Sequence, residues 1–207
     1  MDRPYPPSSL LELSDLSDFG ISLTPAPEVW EWIQAEILAT TGSIHYEEHG
    51  HLIDANVGVL WASSAFAKKG RTVLGQAEQL MIRAGGWQKA RQEQQMRDWF
   101  GEEPEFLITL AADYCAQYTE AEFCALVEHE LYHIAHKLDK YGALAFTQDG
   151  LSKLEMRGHD VEEFVGVVRR YGTSHDVQQL IDAASRPSEV AKINISTACG
   201  TCLLKSA

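Results

Sequence analysis

The run His129-Glu130-Leu131-Tyr132-His133 constrains this chain more than any other stretch. Two histidines four apart lie on one face of a helix, where both rings can reach one ion, and a carboxylate sits beside them. H-E-x-x-H on a helix is the arrangement of zinc hydrolases, in which the glutamate takes a proton from water activated by the metal. A fold built on it needs a helix packed on one side and open on the other, and the flanking residues predict one. Thr119-Glu120-Ala121-Glu122 has capping-box spacing and opens a helix expected to run to about Asp139, with the motif in its middle. Phe123, Val127, Leu131, Ile134 and Leu138 recur at helical spacing, and at about 100° per residue their stripe lies opposite His129, His133 and His136.

A catalytic zinc takes three protein ligands and keeps a position open for water, so a third ligand is required. His136 shares the face, but at a rise of about 1.5 Å per residue it lies too far along the axis from His129 to share an ion. Asp139 follows His133 at a spacing some zincins use, with a glycine midway to turn the chain. Here His136 stands at that glycine position, which makes Asp139 the weaker candidate. His159, in Gly158-His159-Asp160-Val161-Glu162-Glu163-Phe164, stands at the start of a second amphipathic helix. Asp160 and Glu163 have capping-box spacing there, and Val161, Phe164, Val165, Val168 and Tyr171 form the packing stripe. Tyr141-Gly142 and Gln148-Asp149-Gly150 give the intervening chain places to turn and come back. Glu162 is the rival, because another zincin branch draws a glutamate from a downstream helix. His159 is preferred, since neutral imidazole is a common zinc ligand and this one lies off the regular helix.

These stretches carry a family resemblance. With Val127 to Ile134, Gly158 to Phe164 and the close Arg169-Arg170-Tyr171-Gly172, the chain resembles the putative phage metallopeptidases, zincin-like proteins of phages and prophages, best over about residues 55–172. The resemblance implies zinc bound by His129, His133 and His159, Glu130 as catalytic acid and base, and a protein or peptide substrate. More distantly, the H-E-x-x-H helix with a later histidine is similar to the SprT-like proteases. In the mechanism expected of such a site, zinc on three neutral imidazoles lowers the pKa of water toward about 7 and Glu130 accepts its proton. Tyr132, His136, Tyr141, Arg157 and Tyr171 are unranked candidates for a further donor to the developing oxyanion.

Charge restricts the partners. Lys plus Arg total 17 against 30 Asp plus Glu, a formal charge of -13, which argues against broad binding to nucleic-acid phosphates. The cluster Lys68-Lys69-Gly70-Arg71 reads as a solvated hairpin tip. No signal-peptide-like or membrane-length apolar run is present, so the expected location is the cytoplasm, that of the bacterial host if the protein is phage-encoded. Cys115 and Cys124 read as buried thiols, while Cys199 and Cys202 form a C-x-x-C in a tail with no second zinc knuckle. The alternative to an enzyme is a catalytically inactive zinc-binding interaction protein that contacts a host factor through a zincin scaffold.

At 207 residues and 45% hydrophobic, the chain can bury one sizeable core. Residues 1–27, rich in proline, serine and aspartate, read as a poorly ordered lead-in, 28–186 as an α+β zincin-like domain with a small sheet and several helices, and 187–207 as a tail. Glu28 to Thr40 predicts a helix with Trp30, Ile33, Ile37 and Leu38 buried. Asn56–Ser63 and Thr72–Gln76 predict the two strands of a hairpin, Trp87 to Trp99 a polar helix, and Glu105 to Ala111 a strand bordering the cleft.

Overall fold

A computed structural model describes residues 3–14, 20–68, 70–161, 168 and 172–187. Phe106–Ala111, here β6, is apolar without alternation, and a strand of that kind is stable only with both faces covered. It lies inside a four-stranded sheet. β2 (Val57–Ala62) runs parallel to it on one side, β5 (Gly75–Gln79) antiparallel on the other, and β1 (Leu23–Pro25) adds antiparallel to β2. The molecule is a mixed α+β protein with a small sheet and several helices.

Alternation sorts the strands into two faces. Val57, Val59 and Trp61 of β2 share one face with Phe106, Ile108 and Leu110 of β6, and all six belong to the buried core. Two helices cover that face. In α2 (Pro27–Ile33), continued by a π-helical turn over Gln34–Leu38, Pro27 occupies the first turn, where its missing N–H costs nothing. α5 (Glu120–Tyr132) meets α2 and the sheet through Phe123, whose ring centroid is 5.3 Å from that of Trp32 and 6.3 Å from that of Trp61. On the other face, the ring of Phe100, at the end of α3 (Gly86–Phe100), fits against Gly58, where a Cβ would lie 2.9 Å from Phe100 Cζ.

Three expectations change. Asn56–Ser63 and Thr72–Gln76 do not form one hairpin, because β6 stands between β2 and β5. The turn instead holds a small hairpin of its own, β3 (Phe66–Lys68) with β4 (Arg71–Val73). Glu105 to Ala111 is therefore central, and β5 takes the sheet edge beside α5. Part of the expected lead-in packs into the fold: besides β1, α1 (Ser8–Ser14) lies against α4 (Ala112–Gln117), and buried Arg3 donates to the carbonyls of Cys115 and Tyr118.

The third change concerns the motif helix. α5 stops at Tyr132, with His133 as its C-cap, instead of continuing to Asp139. The chain straightens into β7 (Ile134–His136), which pairs with β8 (Leu154–Met156). No glycine or proline breaks the helix here; long-range partners take the carbonyls that another turn would have used. Arg157 N donates to His133 O at 2.8 Å, and His51 Nε2 to Ile134 O at 2.7 Å. Ile134 is fully buried as a result, whereas Leu138, the last member of the expected stripe, is half exposed. A short exposed helix, α6 (His175–Ala184), follows later in the chain.

The start of α5 is as the sequence predicts. Thr119 Oγ1 accepts from Glu122 N, and the Glu122 carboxylate accepts from Thr119 N, a complete capping box. Replacing Thr119 by Ala is expected to lower the unfolding free energy by about 1 kcal/mol, read from urea denaturation.

The 3-10 helix Glu47–Leu52 packs beside β7 and buries His49, whose ring edge lies against Tyr132 with centroids 4.7 Å apart. Burial, reinforced by the nearby His51 and opposed by Glu48, pulls the pKa of His49 down to about 4. An unfolded chain takes up that proton near pH 6.5. Between the two values the unfolded state binds more protons, so the contribution of this ring to stability is lost as pH falls from about 6.5 to about 4. His49→Leu is expected to flatten that part of the pH dependence in urea titrations at neutral and mildly acidic pH.

Candidate metal centre

α5 carries His129 and Glu130 in its last turn and His133 at its cap. One residue after the cap the chain enters the β7–β8 ladder, in which Ile134 stands opposite Met156. Antiparallel pairing returns the chain to the helix end, so that His159, three residues past Met156, reaches the rings that precede Ile134.

The three imidazoles form a nearly equilateral group, with ring centroids 5.1 Å apart for His129 and His133, 5.0 Å for His129 and His159, and 5.2 Å for His133 and His159. One nitrogen from each ring lies within 4.8 Å of the others. The Nε2 atoms of His129 and His159 are 3.2 Å apart. Two nitrogens bound at 2.0–2.1 Å to a common tetrahedral ion are separated by about 3.3 Å, so the spacing suits a zinc-sized cation. His133 Nδ1 lies 2.8 Å from Arg157 O; donating there, it leaves Nε2 with the lone pair that a metal takes. Burial is graded across the group: His133 is buried, His129 half-buried and His159 exposed. A metal held by them would have a protein floor and an open side, as a catalytic site requires.

Glu130, between the two motif histidines in sequence, is wholly buried with its carboxylate against Gly75 of β5. Its space is made by Gly75: a Cβ there would lie 2.7 Å from Glu130 Oε1 and 2.9 Å from Leu126 Cδ1. The three nitrogen donors and the open side fit a metal ion.

The other described sequence candidates have partners of their own. His136, on β7, bonds the carbonyl of Ala145 through Nε2 and meets the edge of Phe146. Asp139 Oδ1 accepts from the main-chain N–H groups of Tyr141 and Ala143, which closes an exposed turn away from the imidazoles. Tyr132 donates to Glu48, and Tyr141 is exposed beneath the Lys140 ammonium. Arg157 pairs with Asp160, so that this ion pair brackets His159. Glu162, Tyr171 and most of the expected second helix lie outside the described residues, as do Cys199 and Cys202. Cys115 and Cys124 are buried free thiols, with burial pushing their pKa values up to about 12 and about 11.

The segment His45-Tyr46-Glu47-Glu48-His49-Gly50-His51 was not singled out by sequence reasoning, yet it braces the site. Glu48 holds Tyr132, and His51 holds the carbonyl of Ile134, on either side of His133. Its signal was available as a dense group of histidines and acids, but nothing local connects it to a motif some eighty residues away.

The model of the family described as putative phage metallopeptidase matches residues 30–185, and the chain belongs to that family. No curated protein and no solved structure matches the chain significantly.

The close approach of Gly75 yields a direct test. Gly75→Ala is expected to cost about 1–3 kcal/mol in urea unfolding, since Leu126 or the Glu130 carboxylate must move to admit the methyl group.

Proposed function

We propose that the protein is a zinc-dependent peptidase with a zincin-like site, in which His129, His133 and His159 hold the ion and Glu130 is the general base. The observation that carries this reading is the triangle of imidazoles, contributed by the helix end and the returning chain, with a buried carboxylate alongside. Zinc bound there supplies a Lewis acid that makes water a usable nucleophile near neutral pH and polarises a carbonyl oxygen.

Around it the side chains have separate tasks. His133, with its Nδ1–H on Arg157 O, presents a fixed tautomer. Glu130 takes a proton on its carboxylate from the attacking water and passes it to the leaving amine. Gly75, with no side chain of its own, leaves room for that carboxylate. The substrate is a protein or peptide, as membership of a metallopeptidase family supports. Among the described residues no helix is long and apolar enough to cross a membrane. The proposed place of action is the cytoplasm of the bacterial host.

Metal analysis combined with proteolysis tests the assignment. Purified protein is expected to carry about one zinc per chain and to cleave proteins in a complex lysate, with His129→Ala and His159→Ala losing the metal. Glu130→Gln should keep zinc and lose cleavage; full hydrolysis by that variant would remove Glu130 as base. Zinc kept by His159→Ala but lost by Glu162→Ala would transfer the third ligand to Glu162. Stoichiometric zinc with no cleavage of any protein would favour the non-catalytic interaction role.

A further inference from the structure

A second concavity lies at the opposite end of the sheet from the imidazoles. Glu130 sits beside Gly75, which pairs with Leu110 at the level of Trp61. The concavity lies around Val57 and Gly58, at the other end of β2, with a volume of about 600 Å³. Its walls include Trp30 of α2 together with Trp99 and Phe100 of α3, none of them fully buried. Exposed Glu31, Asp54 and Glu102 stand around it, and no lysine or arginine lines it. The nearby cation Arg97 is paired with Glu103.

Its floor is a strand edge. β1 ends at Pro25, opposite Leu60, and leaves the first half of β2 with no strand on that side among the described residues. Ala26 N donates to Val59 O at 2.8 Å, so Val59 turns its main-chain groups away from β6. Val57, two residues back, turns its own the same way, into the groove. Aromatic faces attract cations, carboxylates pair with them, and an open strand edge binds extended main chain.

We propose that this groove is a docking site for a basic, extended segment of a partner protein. Its main chain pairs beside Val57, and its lysine or arginine side chains lie against Trp30 and Trp99 within reach of Glu31, Asp54 and Glu102. Charge complementarity selects this occupant: an acidic or purely apolar segment would leave three carboxylates facing like charge or nothing. The site is independent of the peptidase reading.

The test uses full-length Glu130→Gln protein, so that cleavage cannot consume the probe. The probe is a short fluorescein-labelled peptide alternating arginine and valine, with a glutamate–valine peptide of equal length as its counterpart, followed by anisotropy. The basic peptide is expected to bind and the acidic one not; equal binding of both, or none by the basic peptide, overturns the proposal. Combined Glu31→Lys, Asp54→Lys and Glu102→Lys should weaken the complex by about tenfold or more. The same change of net charge at exposed Glu47, Asp149 and Asp182 should leave it intact. Equal weakening by both sets would mean diffuse attraction to an acidic protein and would overturn the site. N-methylation of alternate peptide nitrogens should also weaken binding, and unchanged affinity would overturn the strand-edge mode.

Discussion

Two hydrogen bonds between His133 and Arg157 govern the imidazole cluster of this protein. The main-chain nitrogen of Arg157 donates to His133 O, and the imidazole of His133 meets Arg157 O through Nδ1, each at 2.8 Å. The first satisfies a carbonyl that would otherwise face the next helical turn, so α5 can end without glycine or proline. The second selects the tautomer that leaves Nε2 available. Both depend on the register of β7 and β8, in which Ile134 faces Met156. A slip of one residue would turn the side chains of the returning strand to the opposite face and move His159 by about 3.3 Å, enough to break up the triangle. The grouping of the three imidazoles is thus a consequence of strand pairing as much as of helical spacing.

The sheet supplies the rigid side of the arrangement. β6 is covered on both faces, and its neighbours hold α5 at a fixed height through Phe123, Trp61 and Trp32. Above the helix end, the 3-10 helix contributes Glu48 to Tyr132 and His51 to Ile134 O, so His133 lies between two braced residues. An imidazole held by sheet packing below and hydrogen bonds above loses little further freedom when a metal binds, the condition for a preorganised site.

What was legible in the sequence was local. Thr119 and Glu122 form the capping box their spacing predicts, residues 27–38 and 86–100 are helical near the expected limits, and Phe106–Ala111 is a strand. His159, favoured in the sequence as a neutral imidazole lying off the regular helix, is brought beside His129 and His133. The end of α5 was not legible, since Ile134, Ala135 and His136 have no helix-breaking character and become a strand only through partners twenty residues away. The same limit hid the order of the sheet. Asn56–Ser63 and Thr72–Gln76 read as neighbours because they are close in sequence, but the more apolar β6 takes the central place that buries it best. The role of Gly75 could not be seen without the helix that passes over it.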